Sequence, residues 1–385
     1  MYKLLHIHHN IVFIDHSRRY VCENIHNEVL FIGVNNEENV AKLKKYGIDF
    51  KIIEKSKENI KSIVEHANKF HGVVFNDPTE MEIQILLQLN PKIKTFLKLF
   101  GAELYMICAD KFLSEKTWQL QPKIQPTLIN KIKRLYHFFK RKLKILLNKE
   151  YSVKLDNQKI IYQRLDAILI MSKYEYDDLN KLFYLPKLIE RQFIDQINDI
   201  NECKVISQKE NKIIIGNSGH RWNNHIDVLD IIKNSENKDN IEFHLFFSYG
   251  TESFYSQKVK SLAQEIKHTY LIEEFLDKDE FELIYTQAAA LIINSYRQHA
   301  VGNIIAAIKY GCKIYLSKRS STYHWLLSKG IIISEIDNLK NDIENKNIKL
   351  SVEEQQHNID CFVKAVNDYP VKKFINNVIA VLEEK

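Results

Sequence analysis

Residues 213–229, with the sequence IIIGNSGHRWNNHIDVL, change abruptly from one secondary-structure pattern to another. Three consecutive isoleucines indicate a buried strand, and the apolar residues after Asn224 recur with the spacing of a helix. The loop Gly-Asn-Ser-Gly joins the two, in a chain that has only 10 glycines among its 385 residues. A tight turn would explain this loop, because Asn and Gly tolerate positive φ angles. A ligand site would also explain it, since small residues after a parallel strand let a phosphate approach the backbone.

The same alternation of strand and helix runs along the whole chain. Short β-branched or aromatic segments are separated by longer stretches with apolar residues at positions i, i+3 and i+4. The predicted strands span residues 2–8, 28–34, 50–54, 72–76, 94–100 and 167–172 in the first half, and 212–217, 242–249, 269–275, 290–296, 312–317 and 330–336 in the second. This alternation is typical of parallel sheets with helices on both faces, so the sequence predicts an α/β fold.

The length of the chain and a change in its composition predict two domains. A chain of 385 residues is too long for one ordinary core. A polar, strand-poor stretch at residues 190–211 separates the two sets of strands. We therefore expect two doubly wound, Rossmann-like domains at residues 1–200 and 201–385, with a closing helix at the end of the second. Two such domains facing each other across a cleft form the GT-B architecture of glycosyltransferases, although other two-Rossmann enzymes share this pattern.

The composition excludes several classes of protein. The 55 basic and 49 acidic residues give a net charge of +6, too small an excess for a dedicated nucleic-acid binder. The five cysteines are scattered and form no Cys-x-x-Cys pair, which favours reduced thiols over disulfides or a zinc site. No signal-peptide pattern and no run of 18 apolar residues occurs, so we expect a cytoplasmic protein without a membrane-spanning helix.

One segment, residues 116–149, departs from the alternation and contains no Asp or Glu. Apolar residues recur in it at helical spacing, from Ile132 to Leu146, among many lysines and arginines. A basic amphipathic helix suits an anionic membrane surface, where each cation contributes about 1 kcal/mol. The alternative is a solvated helix that packs its apolar stripe on its own domain. Because solvated helices usually mix charges of both signs, we expect this segment to contact the membrane.

A second loop, within residues 291–317, has the features of an anion site. After a predicted strand come Arg297, Gln298, Gly302 and Asn303, and a helix follows. A helix N-terminus attracts anions, and an arginine beside it adds a charge-assisted contact. Together with Arg221 of the first loop, Arg297 would stabilise the negative charge that builds up on a departing diphosphate. This stabilisation is electrostatic and needs no metal ion.

Five stretches of the chain together resemble glycosyltransferase family 56, the family of bacterial TDP-4-acetamido-4,6-dideoxygalactose:lipid II transferases. The stretches are FHGVVFNDP at 70–78, FLKLFGAELY at 96–105, IIIGNSGHRWNNHI at 213–226, FFSYGTESFY at 246–255, and residues 275–325. The resemblance keeps its order over most of residues 70–330. Its most specific part is the combination of Gly-Asn-Ser-Gly with Arg-Gln-x-x-x-Gly.

The resemblance implies a GT-B fold and a particular reaction. The donor would be a TDP-linked deoxyhexose, such as a 4-acetamido sugar, and the acceptor an undecaprenyl-diphosphate-linked saccharide. Such a transfer would serve the synthesis of common antigen or O-antigen at the inner face of the bacterial cytoplasmic membrane. The family therefore implies a peripheral membrane enzyme, in agreement with the basic segment. It implies no metal ion and no cofactor besides the nucleotide-sugar donor.

Carried over position by position, the resemblance implies a set of donor-binding residues. They are Gly216, Asn217, Ser218, Gly219, Arg221, Asn224, His225, Tyr249, Gly250, Glu280, Arg297, Gln298, Gly302 and Asn303. Two single positions and one short stretch depart from the family pattern. His220 and Glu103 stand where the family has Asp, and residues 300–303 read Ala-Val-Gly-Asn in place of Gly-Ile-Gly-Thr. These departures indicate a different sugar or a different TDP-like donor.

Transfer to a hydroxyl group needs a carboxylate or imidazole from the N-terminal domain that removes a proton. Glu103, after the predicted strand at 94–100, is the first candidate, although a surface glutamate would give the same pattern. Asp15 and His16, which follow the first strand, are the next candidates.

Two groups of residues look like metal ligands, but we expect no metal at either. His6 and His8 would share one face of a strand beside His9, and no further ligand is evident in the sequence. The motif Asp277-Lys278-Asp279 is followed by Glu280, and Asp277 with Glu280 forms the pattern of a capping box that opens a helix.

Two other functions fit the same pattern of domains. A nucleotide-sugar epimerase or hydrolase would have two Rossmann-like domains, but it would not need a membrane segment. A non-catalytic scaffold of a polysaccharide assembly complex would not need the arginines and glycines of the two loops. Turnover of the donor with and without a lipid acceptor would distinguish the three.

Overall fold

The structure, a computed structural model, describes residues 1–11, 14, 24–45, 47–76, 78–100, 102–105, 108–120, 163–196, 199–251 and 254–384. These residues form two compact units. The first contains the described residues up to 104, those from 163 to 195 and those from 369 onward. The second contains the described residues from 105 to 120 and from 196 to 368.

In the first unit, the described residues form a seven-stranded parallel sheet with the order β3-β2-β1-β4-β5-β6-β7. The strands are β1 Tyr2–His8, β2 Ile25–Ile32, β3 Asp49–Ile53, β4 Gly72–Asn76, β5 Lys94–Lys98, β6 Ala167–Ile170 and β7 Lys187–Glu190. Every residue of β4 and β6 is buried, as expected for strands covered on both faces. The direction of the strand order reverses between β1 and β4, and ligands of such sheets bind at the carboxyl ends there.

The second unit repeats this plan with a six-stranded parallel sheet, in the order β10-β9-β8-β11-β12-β13. Its strands are β8 Lys212–Ile215, β9 Glu242–Phe246, β10 Thr269–Ile272, β11 Ala290–Ile293, β12 Lys313–Leu316 and β13 Ser334–Glu335. The order reverses between β8 and β11. The prediction of two doubly wound, Rossmann-like domains is confirmed.

Helices connect the strands in both units. They are α1 Glu37–Lys45, α2 Asn59–Ala67, α3 Glu80–Gln88, α4 Ala102–Tyr105, α5 Ala109–Phe112, α6 Glu115–Gln119, α7 Lys173–Asn180, α8 His225–Lys233, α9 Phe254–Gln264, α10 Lys278–Gln287, α11 Val301–Lys309, α12 Ser321–Ser328, α13 Leu339–Glu344, α14 Val352–Asp368 and α15 Val371–Glu383. Asp277 caps α10, and its side chain and that of Glu280 bond reciprocally to the backbone. The predicted capping box is therefore confirmed.

The last helix, α15, belongs to the core of the first unit. Its buried residues Phe374, Ile375, Val378 and Val381 recur at helical spacing and pack in one cluster with residues of β1, β4, β5, β6 and β7. The Tyr369 hydroxyl donates to the carbonyl of Glu190 over 2.7 Å just before this helix. The end of the chain is thus a structural part of the first unit.

A segment from the first half of the chain belongs to the second unit. We call the described residues of 105–120 the strap. The backbone N–H of Ser114 donates to Asn224 Oδ1 over 2.9 Å, and Lys116 pairs with Asp230 at 2.5 Å. Leu120 packs against the core of the second unit. A hydrogen bond, an ion pair and apolar packing therefore attach the strap to that unit.

The division of the chain differs from the single boundary predicted between residues 200 and 201. The strap and the segment from Tyr369 onward each lie in the unit formed mainly by the other half of the chain. The physical reason is packing, because the apolar side of α15 completes the first core and the strap bonds to α8. All twelve predicted strands are present, and β7 was not predicted.

None of the helices in the described part of the chain is both long and apolar enough to cross a membrane.

Candidate functional site

The two predicted anion loops follow β8 and β11, the strands at which the order of the second sheet reverses. Ile215 pairs with Ile292, and the N–H of Gly216 donates to the carbonyl of Ile292 over 2.9 Å. The loop after β8 and the loop after β11 therefore leave the sheet side by side. This is the position at which open α/β sheets bind ligands.

Two glycines near this end of the sheet are required, because their φ angles are positive and neighbouring atoms leave no space for a Cβ atom. Gly216 has a φ of +69°, and a Cβ atom there would lie 2.6 Å from His225 Nε2. Gly250, at the end of β9, has a φ of +72°, and a Cβ atom would lie 2.6 Å from the ring of His220. The N–H of Gly219 donates to the carbonyl of Tyr249 over 2.8 Å. Loops 216–219 and 249–250 are thus fixed against each other.

The resemblance placed Asn224 and His225 among the donor contacts. In the structure both are buried and make hydrogen bonds to neighbouring segments. The amide of Asn224 donates to the carbonyl of Asn294 over 2.9 Å, and its oxygen accepts the N–H of Ser114. The ring of His225 is fully buried with Nδ1 3.1 Å from the Tyr255 hydroxyl, and burial lowers its pKa to about 3. His225 is therefore neutral at physiological pH.

Arg297 lies between two aromatic rings in the second unit. Its guanidinium carbon is 4.9 Å from the ring centre of Tyr105, on the strap, and 5.2 Å from that of Trp222. Both distances are within the range of a cation–π interaction. The side chain is buried, and the Ser320 hydroxyl donates to the Arg297 carbonyl over 3.1 Å. Arg297 is therefore held in one orientation at the carboxyl end of β11.

The helix α11 begins directly after this arginine. Ala300 precedes it in the left-handed conformation, with a φ of +55°. Gly302 lies exposed in the first turn, and a Cβ atom there would meet no described atom within 4 Å outside the adjoining helix backbone. The first turn of α11 therefore offers backbone N–H groups and the positive end of the helix dipole to an anion.

A cavity of about 180 Å³ lies beside this helix, at the carboxyl ends of β8, β9 and β10. Asn217, Tyr249, Phe275 and Asn303 are among its lining residues. The rings of Tyr249 and Phe275 are nearly parallel, with centres 5.9 Å apart, and the amide of Asn217 donates to the Tyr249 hydroxyl. Among the described residues, the buried Asn217 Oδ1 has no hydrogen-bond partner. The cavity therefore combines flat aromatic surfaces with an unused acceptor.

Two more histidines lie near Arg297. The pKa of His299 is well below its ordinary value because its ring is desolvated, and the charge of Arg297 lowers it further. Partial burial, Arg297 and Arg221 likewise lower the pKa of His220. These rings are neutral at pH 7, so the arginines supply the positive charge of the site.

In the first unit, a histidine and a glutamate meet at the point where that sheet reverses its order. His9 follows β1 directly, and its Nδ1 lies 3.5 Å from Oε1 of Glu82 on α3. His9 is 23% exposed and Glu82 1% exposed. Burial alone would raise the pKa of Glu82, but hydrogen bonds from His9 and Thr79 hold it below its ordinary value. An ionised carboxylate behind a partly exposed imidazole is the arrangement of a general base.

Comparisons with known proteins give a fold and no family. No family model matches the sequence, and no curated protein matches it. Solved structures do match over nearly the whole chain. HepE of Anabaena, solved with UDP and glucose, has a TM-score of 0.62 and 10% identity, covering 99% of both chains.

A glycosyltransferase of Rickettsia africae has a TM-score of 0.64 and 11% identity, covering 99% of this chain and 98% of the other. The lipopolysaccharide outer core galactosyltransferase WaaB has a TM-score of 0.58 and 10% identity, covering 98% and 99%. The chain has the GT-B fold. Membership of family 56, implied by the motif resemblance, stays a prediction.

Within this GT-B fold, the structure brings together most of the predicted donor residues. Residues 216–219, Tyr249, Gly250, Arg297, Gln298, Gly302 and Asn303 lie at the carboxyl ends of β8, β9 and β11. Arg221 lies beside Trp222, 5.4 Å from the ring centre. Glu280 is exposed, and its carboxylate accepts the N–H of Asp277 in the capping box of α10.

The predicted bases and the membrane segment fall mainly outside the described residues. Asp15, His16, the side chain of Glu103 and residues 121–149 are not described. They stay predictions. The sequence interpretation missed Phe275, Tyr105, Trp222 and the pair of His9 with Glu82.

Proposed function

We propose that this protein is a glycosyltransferase that uses a nucleotide-diphosphate sugar, whose donor is bound by the second unit. The observation that carries the proposal is the position of Arg297, held between two rings beside the exposed first turn of α11. A buried cation and a free helix N-terminus together suit a diphosphate. The GT-B fold supports the same function, and HepE was solved with UDP and glucose.

The aromatic cavity is proposed to bind the nucleobase and ribose. Its volume and its nearly parallel rings of Tyr249 and Phe275 suit a flat base. The free Asn217 Oδ1 would accept a hydrogen bond from the nucleoside. Asn303, in the first turn of α11, lines the same cavity, so base and diphosphate sites are continuous.

The first unit is proposed to present the acceptor hydroxyl. His9 takes the hydroxyl proton, the oxygen attacks the anomeric carbon, and the bond from that carbon to the diphosphate breaks. The diphosphate leaves with the electron pair, and Arg297 stabilises its charge. Glu82 stabilises the imidazolium that His9 becomes. Glu103, Asp15 and His16 remain alternative bases from the sequence.

The motif resemblance supports a finer proposal. The donor is a TDP-linked deoxyhexose, and the acceptor is an undecaprenyl-diphosphate-linked saccharide of common antigen or O-antigen synthesis. The acid-free segment 116–149 supports contact with the cytoplasmic face of the bacterial inner membrane. The match to WaaB, a lipopolysaccharide outer core galactosyltransferase by name, agrees with envelope saccharide synthesis.

Thermal denaturation against TDP, UDP, GDP, ADP and CMP, each with and without EDTA, tests the donor proposal. Stabilisation by TDP that is lost in Arg297→Ala supports the donor as stated, because a ligand that binds only the folded state raises its stability. Stabilisation by UDP or GDP instead would keep the enzyme class and replace the donor. If no nucleotide stabilises the protein, the function proposed here is wrong.

A second arm of the experiment separates transfer from donor binding. His9→Gln should keep nucleotide binding and lose transfer to a lipid-linked acceptor in detergent, with Glu82→Gln losing less. Equal transfer by His9→Gln would exclude His9 and leave Glu103, Asp15 and His16 to be tested. Donor consumption without any acceptor would indicate a hydrolase or an epimerase.

A further inference from the structure

A second cavity, of about 340 Å³, opens at the carboxyl ends of β11, β12 and β13 in the second unit. The first cavity is lined by residues of α10 and α11, whereas this one is lined by Asp227 and Ile231 of α8 and by Lys116 of the strap. The two cavities share no lining residue. The nucleotide site proposed above therefore leaves this cavity unused.

Charged groups of both signs line this second cavity in equal number among the described residues. They are Lys116, Lys318 and Arg319, and Asp227, Glu335 and Asp337. Lys318 lies 3.2 Å from Glu335 and 3.4 Å from Asp337. Lys116 pairs with Asp230, which does not line the cavity. The balanced charges do not favour an anionic or a cationic ligand.

One wall has a flat, polar surface. The guanidinium of Arg319 stacks on the ring of Tyr296, 4.0 Å from its centre, and donates to the carbonyl of Lys111. The carboxylate of Asp227 accepts the Ser114 hydroxyl through Oδ2 over 2.5 Å. Carboxylate oxygens accept several hydrogen bonds each, so these groups retain acceptor capacity toward the cavity.

We propose that this cavity binds a neutral saccharide unit. A sugar ring presents many hydroxyl donors and acceptors with no net charge, and the cavity offers carboxylates, an arginine and Asn294. The volume lies within the range of small-molecule sites, at its lower end, and suits one or two sugar rings. The loop after β12 connects this site to the donor loop through the bond from Ser320 to Arg297.

Titration of the protein with methyl glucoside, methyl galactoside and N-acetylglucosamine tests the proposal. Saturation-transfer NMR and calorimetry measure the binding. At least one should bind saturably to the full chain, both with and without nucleotide. Asp227→Asn keeps an acceptor for Ser114 and loses the charge. It should weaken saccharide binding about tenfold, the effect of one hydrogen bond to a charged group.

A bulky substitution in the wall of the second cavity tests whether the saccharide binds there. Ile231→Trp adds a ring at the wall of the cavity and should abolish saccharide binding, while Val352→Trp, at an exposed position of α14, is the matched control and should not. Nucleotide binding reports the folding of each variant. The proposal is overturned if no saccharide binds, if both Asp227→Asn and Ile231→Trp bind as the unmodified chain does, or if inorganic phosphate competes for the site. Because nucleotide is measured separately, failure here does not affect the donor proposal.

Discussion

Arg297 is the residue whose surroundings most restrict the chemistry of the site. A buried arginine has lost most of its hydration, so it needs neighbours that compensate for this loss. The rings of Tyr105 and Trp222 provide such neighbours, since their faces attract a cation without neutralising it. Arg297 Nη1 also donates to the carbonyl of Gln298 over 3.0 Å, so the guanidinium is positioned where the proposal places the diphosphate.

The ring of Tyr105 should therefore contribute to affinity through Arg297. We expect Tyr105→Leu to weaken binding of the nucleoside diphosphate about five- to tenfold, the size of one cation–π contact, and to leave nucleoside affinity unchanged. Tyr105→Phe keeps the aromatic face and should restore diphosphate binding. Calorimetry with the nucleoside and with its diphosphate measures both affinities.

The comparison of the two ligands distinguishes this role from a general effect on folding. Tyr105 is buried, so its truncation also lowers stability. A loss of stability alone would reduce both affinities in parallel, and this result would contradict the proposed positioning role. Tyr174→Leu, at an exposed position of the first unit, is the matched control.

The sequence predicted site residues that have a recognisable position beside a strand or helix. It did not predict residues whose role depends on a side chain far away in the sequence. Gly216 and Arg297 are visible because glycine after a strand and arginine before a helix have local meanings. The pair of His9 and Glu82 is separated by many residues, and its acid is already used in the cap of α3. Phe275 acquires a role only because Tyr249 lies 5.9 Å away.

Helix α11 is the element that would link the proposed base cavity with the proposed diphosphate position. Asn303 lines the cavity, and Gly302 leaves one side of the first turn bare. Gly is a poor helix residue, and nothing in the described surroundings of Gly302 is too close for a side chain. The proposed diphosphate site would account for glycine here, because a bound anion would approach the backbone of this turn.

Gly302→Val should change the stability of the protein and its affinity for a nucleoside diphosphate in different directions. Valine forms helices at least as well as glycine, so the melting temperature of the free protein should stay equal or rise. Nucleoside diphosphate affinity should fall at least tenfold, because the branched side chain occupies the space above the first turn. Gly302→Ala should be more stable still and bind better than the valine variant. Unchanged diphosphate affinity in Gly302→Val would show that the ligand lies elsewhere.

Most strands were predictable because they contain a run of apolar residues. The edge strand β7 was not predicted. The central strands β4, β6, β8, β11 and β12 are buried at every residue, and their sequences are apolar except at one end of β4, β8 and β12. In β7 only Ile189 is buried, and lysine and glutamate stand at its ends. Pairing with β6 forms this strand, and no local pattern reveals that pairing.

In the whole molecule, each unit is formed by segments that are separated in the sequence. The strap brings residues from the first half to the second unit, and α15 returns the end of the chain to the first. A boundary read from composition assumes that each unit is continuous in sequence. The assumption fails here because burial of α15 and bonding of the strap depend on partners far along the chain.

This connectivity makes the stability of the first unit depend on the last helix. Phe374 of α15 is fully buried in a cluster with β1, β4 and β5. We expect Phe374→Ala to lower the free energy of unfolding of the first unit by about 3–5 kcal/mol, the usual loss for a buried phenylalanine. Lys372→Ala, at an exposed position of the same helix, should change it little.

Calorimetric unfolding with and without the stabilising nucleotide distinguishes the two units. Since the nucleotide is proposed to bind the second unit, it should raise the transition of that unit and leave the other in place. Phe374→Ala should then lower the transition that does not respond to nucleotide. A fall confined to the responsive transition would assign α15 to the stability of the second unit and contradict the division of the chain seen here. If one transition carries both effects, the units unfold together, and the loss in Phe374→Ala should then appear in its total free energy.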